Sequence, residues 1–234
     1  MFCFYKHHTR NFMNGRHEFK YYINPADYAQ LRSRLRKIAR KDKNTDEDGK
    51  YRIRSLYFDN YADKLVTEKL AGLDNREKFR IRYYNDNTEF IRLEKKSKIN
   101  RLIYKESAPL TNEQCCEILS SNYECLKTGD SPLFDELYAK IHYQGLRPRN
   151  IVDYEREVYI YPVGNVRVTL DSRIRTSNNI HKFLDPDLVT IPSANAIILE
   201  VKYDGFIPDV MRDMIQIDQR NRREFSKYVV SRLV

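Results

Sequence analysis

The sequence predicts an α+β protein in which an antiparallel sheet of about eight strands has helices packed on its outside. Three observations support this class. Stretches rich in Tyr, Ile, Val, Phe and Arg alternate with a period of two, short turns separate most of them, and four other segments have helical spacing and helix caps. The strands form either an open sheet or a closed barrel. With 234 residues, the chain is expected to be one large domain.

The predicted strands follow one another along most of the chain. They cover residues 17–22, 51–58, 78–84, 88–96, 101–107, 151–161, 165–171 and 196–203. In most of them, charged residues alternate with aliphatic or aromatic ones, which is typical of strands with one apolar and one polar face. Residues 1–15 precede the first strand and are predicted to be a flexible tail, so the domain is expected to span residues 16–234.

Four helices are predicted from their caps. They cover residues 25–40, 111–120, 131–145 and a last stretch from about residue 208 into the C-terminus, with a break near residues 220–222. Asn24 precedes Pro25 at the start of the first helix. Thr111 and Gln114 form a capping box, and Gly145 provides a C-terminal stop.

The composition is basic. The chain has 42 Lys and Arg against 33 Asp and Glu, a formal charge of +9. This balance fits a polyanionic partner, such as nucleic acid, a nucleotide, polyphosphate or an anionic membrane surface, and it equally fits a basic protein without an anionic ligand. The seven glycines are too few for a Walker or GxGxxG phosphate loop, so the familiar nucleotide-binding folds are not expected.

Cysteine usage and hydropathy predict a cytoplasmic protein. Cys3, Cys115, Cys116 and Cys125 show no CxxC spacing and are interpreted as reduced thiols. No stretch approaches the roughly 18 apolar residues of a membrane span, and the N-terminus lacks the apolar region of a signal peptide. A membrane partner is compatible with this prediction.

A charged face recurs along the predicted strands. In the segment AIILEVKYDG, Glu200 and Lys202 share a face, as Glu18 and Lys20 do in the first strand. The same alternation gives charged faces with Arg52 and Arg54, with Arg80 and Arg82, with Arg92, Glu94, Lys96 and Lys98, and with Arg167, Thr169 and Asp171. An open sheet with a solvated face explains any one strand. For the whole set, the dominance of Arg and Lys favours strands that close around a basic tunnel.

A wet tunnel that holds a polyanion accounts for this face. Unpaired cations would be costly in a dry interior, whereas arginine forks and lysine ammonium groups bind phosphate oxygens. The minority carboxylates Glu18, Glu94, Asp171 and Glu200 can hold a hard divalent cation. The pattern therefore indicates a metal–triphosphate site.

The ordered motifs HEFKYYI, RSLYFDN, FRIRYY, IRLEKKSK, DYERE, VRVTLD and ILEVKYDG carry a family resemblance. From Arg16 to the C-terminus, the chain resembles the catalytic domain of the vacuolar transporter chaperone complex and its stand-alone bacterial relatives, within the triphosphate tunnel metalloenzyme superfamily. The resemblance implies an eight-stranded antiparallel barrel, the triphosphate tunnel, with helices outside. It also implies a polyphosphate polymerase that uses Mn²⁺ or Mg²⁺ to transfer the γ-phosphoryl group of ATP to a growing polyphosphate chain.

The resemblance also implies site residues. The catalytic basic residues would be Arg80, Arg82, Lys96 and Arg156. Further phosphate-binding residues would be Lys20, Lys105, Arg167, Lys202 and Lys227. Arg54 joins this set because it lies on the charged face of the predicted strand 51–58. Glu200 and Glu94 would be metal ligands, with Glu18 and Asp171 as further candidates, and Tyr154 would line the tunnel wall.

One departure and three alternatives accompany this prediction. Tunnel triphosphatases open on ExExK, whereas GRHEFK has Arg16 in place of the first glutamate, which favours the polymerase branch. A metal-dependent tri(poly)phosphatase or nucleoside triphosphatase would use the same tunnel, with water as the attacking group. A non-catalytic polyphosphate sensor would bind without turnover. Nucleic-acid binding is not expected, because no RNP-like aromatic motif or zinc-finger spacing is present.

Overall fold

The computed structural model describes residues 17–42, 45, 49–99, 102–194, 196–217 and 226–232. The strands are β1 (His17–Ile23), β2 (Arg40–Lys41), β3 (Lys50–Asp59), β4 (Arg76–Tyr84), β5 (Asn87–Ile99), β6 (Leu102–Leu110), β7 (Arg147–Tyr161), β8 (Val166–Ser177), β9 (Ile191–Ala194) and β10 (Ile197–Tyr203). The helices are α1 (Pro25–Ile38), α2 (Lys64–Leu70), α3 (Asn112–Leu119), α4 (Pro132–Gln144), α5 (Asp209–Ile215) and α6 (Lys227–Arg232). The predicted tail, Arg16 and the predicted break near residues 220–222 lie outside the described residues.

All strands belong to one antiparallel sheet. Its order is β1, β10, β8, β7, β3, β4, β5, β6, with β2 added beside β7 and β9 beside β8. The sheet curls strongly. Lys96 Nζ on β5 lies 3.3 Å from Glu18 Oε2 on β1, although five strands separate β1 and β5 in this order. The predicted antiparallel barrel-like sheet with helices around it is thus confirmed, in the form of a half-barrel whose ends approach through side chains. Helix α6 departs from the prediction, because it does not lie on the outside.

The predicted caps begin the helices for the expected reasons. The Asn24 side chain accepts from the Asp27 amide while Asp27 reaches back to the Asn24 amide, and Thr111 and Gln114 do the same at α3. Gly145 ends α4 in the left-handed conformation. Helix α1 ends at Ile38, earlier than predicted, because Arg40–Lys41 leaves the helix to pair with β7 as β2.

Apolar side chains form cores on both faces of the sheet. On the convex face, one cluster packs under α3 and α4 around Leu93 and Ile118, and another packs under α1 and α5 around Leu35 and Met211. A third cluster lies on the concave face, where Tyr228 of α6 packs among residues of β3 and β7. Helix α6 therefore lies against the inside of the sheet. No described helix is long and apolar enough to cross a membrane.

Hydrogen bonds fix α6 in this position. Tyr228 donates its hydroxyl proton to Asp59 Oδ2 at 2.7 Å, and Asn150 Nδ2 donates to Ser231 Oγ at 2.6 Å.

Tyr228→Phe is expected to cost about 1–2 kcal/mol in the free energy of unfolding, because it leaves a buried carboxylate oxygen without this donor. Urea unfolding measures this cost, and faster hydrogen exchange in α6 would locate it. Tyr143→Phe, at a position 89% exposed, is the control. An unchanged free energy of unfolding would contradict the anchoring role.

Candidate functional site in the lumen of the curled sheet

The concave face of the sheet encloses a space that we call the lumen. Contacts between β1 and β5, and between α6 and β8, join side chains across this space. The cations that line it include Lys20, Lys78, Arg80, Arg82, Lys96, Lys105, Arg156, Arg167, Lys202 and Lys227. The carboxylates are Glu18, Glu94, Asp171 and Glu200. Cations therefore predominate inside the protein.

Two of these carboxylates share their cations. Glu200 contacts Lys202 at 2.6 Å and Lys20 at 3.4 Å, and Glu18 pairs with Lys20 and contacts Lys202 at 3.7 Å. Glu200 is only 5% exposed. Burial alone would raise the pKa of its carboxyl group, but Lys20 and Lys202 outweigh this effect and hold the pKa well below its usual range. Burial lowers the pKa of Lys20, because Glu200 compensates only in part and other lysines lie nearby.

A second cluster surrounds Glu94 on β5. Arg80 contacts it at 2.6 Å, Lys105 at 2.6 Å and Arg82 at 3.6 Å. Burial would raise the pKa of Glu94, whereas Arg80, Arg82 and Lys105 together hold it far below its usual range. Glu94 is therefore ionised and keeps the two arginine forks of β4 side by side.

A third cluster joins β7, β8 and α6. The fully buried Asp171 receives Arg156 Nε at 2.5 Å and Arg156 Nη2 at 2.7 Å, and Lys227 approaches it at 2.5 Å. Tyr154 lies among these cations: Lys227 Nζ is 4.5 Å from its ring centre, and its hydroxyl accepts from Arg82 Nη2 at 3.1 Å. Tyr154 thus connects the second cluster, through Arg82, with the third cluster, through Lys227.

The donor set limits how a metal ion could be held. Within the described ranges, no group of three or more His, Cys, Asp or Glu side chains could hold a metal ion. Glu18 and Glu200 are nevertheless close, because they share two lysines. One or two carboxylates completed by phosphate oxygens are how Mg²⁺ is commonly bound, so these residues fit an ion that arrives with a phosphate ligand.

The structure brings together all but one of the predicted site residues. Arg167 lies at the edge of the set, where it donates to Asp42 and to Tyr51 at 3.2 Å each. Arg54 is the exception, because it lies on the convex face. Its guanidinium is fully buried, donates to Asp153 Oδ1 at 2.9 Å and also donates to Tyr83. We therefore remove Arg54 from the candidate site and assign it a structural role.

The inner face of β3 explains this correction. Arg54 lies opposite Asp153 of β7, whereas Ser55 lies opposite Arg82 of β4. The lumen-facing residues of β3 are therefore Ser55, Tyr57 and the alternate residues before them, and its arginines point away. The predicted charged faces of β4 and β5 are therefore correct, and the predicted faces of β3 are reversed.

The lumen residues that sequence reasoning missed include Lys78 and Tyr57. Lys78 precedes Arg80 by two positions on β4 and lies opposite Lys96 of β5, so the same period of two could have identified it. Tyr57 accepts a hydrogen bond from Arg80 Nη1 at 3.2 Å. Tyr57 can be recognised as a lumen residue only when the orientation of β3 is known, and no local signal in the sequence gives that orientation.

A solved structure agrees with this architecture. A protein of Bacillus halodurans, described as a candidate adenylate cyclase, superposes with a TM-score of 0.51 and 14% identity over 80% of this chain and 81% of its own. A Pyrococcus horikoshii protein gives a TM-score of 0.46 and 13% identity over 93% of this chain and 99% of its own. At these identities, the likeness concerns the fold alone.

Sequence comparison adds the family. No curated protein matches the chain. The family model of the VTC domain matches residues 15–234, which is nearly the whole chain and includes every strand and cluster of the lumen. The chain therefore belongs to the VTC domain family.

Proposed function

We propose that this protein is a polyphosphate polymerase that transfers the γ-phosphoryl group of ATP to the end of a growing polyphosphate chain. The observation that supports this most is the excess of cations on the concave face, where few carboxylates offset them. Buried cations in excess need an anionic ligand, and a linear phosphate chain presents oxygens along its whole length. Membership of the VTC domain family supports the same function.

The ion pairs prepare the lumen for such a ligand. Glu94 and Asp171 fix the guanidinium groups of Arg80 and Arg156, and each guanidinium has five N–H donors, more than these ion pairs use. The cost of ordering these long side chains is therefore met during folding, and binding a phosphate chain requires little further ordering. Arg82 and Lys96 complete the group that would contact the transferring phosphoryl.

A divalent ion, Mn²⁺ or Mg²⁺, fits the carboxylates of the lumen. Glu200 would be its main ligand, with Glu18 close by, while Glu94 and Asp171 are further candidates that are already engaged by arginines. When bound, such an ion would neutralise negative charge on the phosphate oxygens. The cationic side chains perform the same task from the other sides of the ligand.

In the proposed reaction, a terminal oxygen of the acceptor chain attacks the γ-phosphorus of ATP in line, and the bond to the β–γ bridging oxygen breaks to release ADP. The protein supplies no nucleophile. Arg80, Arg82, Lys96 and Arg156 align the two phosphates and stabilise the charge that develops on the transferring group. Tyr154 packs beside these cations and keeps the wall rigid.

The reaction products distinguish this function from its alternatives. The purified chain is incubated with ATP and Mn²⁺, with and without a short polyphosphate primer. A ladder of lengthening polyphosphate with little free phosphate is the expected result. Free phosphate in step with ATP consumption would establish a hydrolase, and tight polyphosphate binding without either product would establish a sensor.

Glu200→Gln tests the role of the metal. The amide keeps the size of the side chain but cannot offer an ionised ligand, so we expect elongation to fall about 10²-fold or more at low Mn²⁺. Excess Mn²⁺ should restore part of the activity if Glu200 binds the ion. Glu89→Gln, at an exposed position, is the matched control. Unchanged metal dependence in Glu200→Gln would remove Glu200 from the site.

A further inference from the structure

Tyr57 occupies a position that none of the assigned roles explains. Its side chain is 2% exposed on the inner face of β3, and its hydroxyl accepts from Arg80 Nη1 at 3.2 Å. Lys78 Nζ and the Arg80 guanidinium each lie 5.9 Å from its ring centre. Tyr228 of α6 packs against the ring at 5.2 Å between centres. The charged groups closest to this phenol are therefore cations.

Lys78 has the same kind of surroundings. It lies opposite Lys96 in the ladder between β4 and β5, and in the part of the chain that the structure describes no carboxylate forms an ion pair with it. The cations that act on Tyr57 and Lys78 are Arg80 and Arg82 from β4, Lys96 from β5 and Lys227 from α6. The nearby carboxylates are engaged by other groups: Glu94 of β5 by Arg80, and Asp59 of β3 by Tyr228, which packs against the Tyr57 ring. Among the described residues, Lys78 thus lacks the carboxylate contact that cations of the three clusters have.

The pKa values of Tyr57 and Lys78 reflect their surroundings of cations. Burial raises the pKa of Tyr57, but Arg80, Lys78 and Arg82 outweigh it and lower the pKa to about 7. Burial also lowers the pKa of Lys78 to about 7, with Lys96 and Arg80 adding to the effect and Tyr57 opposing it. Because the two groups interact, the protons are lost by the pair rather than by either residue alone. In neutral solution the phenolate of Tyr57 partly supplies the missing anion.

We propose that Lys78 and Tyr57 form an additional phosphate-binding subsite of the lumen and that this pair takes up a proton when a phosphate oxygen binds. The inference rests on the proposed function in that it takes a phosphate chain to be the ligand. A bound oxygen replaces the phenolate as the local anion. Lys78 then pairs with the oxygen as an ammonium ion, and the protonated Tyr57 hydroxyl donates a hydrogen bond to the same oxygen. The proton comes from water, and no bond of the ligand breaks.

The sign of the pH dependence follows. Below about pH 6 both groups already carry their protons, so binding takes up none. At about pH 8 the free pair has lost protons that the bound pair holds, so binding takes up about one proton. The affinity for a phosphate chain should therefore decrease as the pH rises through 7, and the pair should account for part of that decrease.

Ultraviolet absorbance tests the unbound state directly. The chain has 18 tyrosines and no tryptophan, so the phenolate band is not obscured. We expect about one phenolate to form with a midpoint near pH 7 in the ligand-free protein, to be absent from Tyr57→Phe, and to be suppressed by tripolyphosphate added with a metal chelator. The same titration in Tyr57→Phe, or no effect of tripolyphosphate on the wild type, would overturn the proposal.

Calorimetry tests the proton uptake. Tripolyphosphate is titrated at about pH 8 into the wild type and into the double variant Tyr57→Phe/Lys78→Arg, in buffers that differ in ionisation enthalpy. The protons of the ligand itself contribute equally to both proteins. We expect the wild type to take up about one proton more than the double variant and the difference to vanish at about pH 6. The control is Tyr143→Phe/Lys127→Arg, at exposed positions.

The outcomes separate this proposal from the proposed function. Tight binding with equal proton uptake by wild type and double variant would overturn the subsite and leave the polymerase intact. A wild type that binds no tripolyphosphate at all would overturn both. Because suppression of the phenolate band is measured on the wild type, the proposal can be contradicted even if the double variant folds poorly.

Discussion

Replacing Arg82 by alanine is expected to lower the rate of polyphosphate elongation about 10²- to 10³-fold while changing the free energy of unfolding by no more than about 1 kcal/mol. Arg82 is 5% exposed, and its guanidinium lies between Ser55 Oγ at 3.0 Å and the Tyr154 hydroxyl at 3.1 Å. In the proposed reaction it stabilises charge on the transferring phosphoryl group. Neighbouring arginines cannot replace it, because their forks are fixed on Glu94 and Asp171.

The fold should tolerate this loss for an electrostatic reason. Glu94 keeps its contacts with Arg80 and Lys105, so no carboxylate becomes unpaired. Removing one cation also relieves repulsion between Arg82 and Arg80. The measurements are elongation kinetics with ATP and Mn²⁺, and urea unfolding of the same sample. Arg212→Ala, on the exposed side of α5, is the matched control. Elongation within twofold of the wild type would exclude Arg82 from the reaction.

Two identical tripeptides show how far the sequence could predict this site. The sequence Arg-Ile-Arg occurs at residues 52–54 in β3 and at residues 80–82 in β4, and in both strands the isoleucine is fully buried. In β4, Ile81 packs into the convex core under α3 and α4, so the arginines enter the lumen. In β3, Ile53 packs with Tyr228 on the concave side, so the arginines point outward. Period-two alternation identifies the two faces of a strand but not which face is inside.

The sheet and three of the helices were more predictable because their signals are local. Strand alternation, the Asn24 cap and the Thr111–Gln114 capping box depend on neighbours a few residues apart, and all are found as predicted. Helix α2 was missed because it has no buried residue and no side-chain cap at Asp63. Strands β2 and β9 were missed because they are short and pair with β7 and β8, which are distant in sequence.

The lumen and the convex face use arginine differently. In the lumen, cations exceed carboxylates, and under the proposed function stability is given up for affinity toward an anion. On the convex face, Arg54 and Asp153 form a matched pair that no ligand needs to complete. Loss of an arginine should therefore reduce activity in the first case and stability in the second.

Arg54→Ala tests that distinction and is expected to lower the free energy of unfolding by about 3 kcal/mol. The guanidinium of Arg54 is fully buried, donates to Asp153 Oδ1 at 2.9 Å, and donates to the Phe183 carbonyl oxygen at 3.2 Å. The change removes these bonds and leaves a cavity. The loss should fall at the low end of the range for breaking a buried pair, because Arg52 still contacts Asp153 at 2.8 Å.

Urea unfolding of Arg54→Ala, compared with Arg212→Ala, measures this loss. At a temperature where both variants are folded, Arg54→Ala should elongate polyphosphate at nearly the wild-type rate, because Arg54 lies on the face away from the lumen. The two variants should therefore have opposite effects. Arg82→Ala should lower the elongation rate with little change in the free energy of unfolding, and Arg54→Ala should lower the free energy of unfolding with little change in the rate. A large loss of activity in folded Arg54→Ala would return Arg54 to the site and contradict the assignment of the two faces of β3.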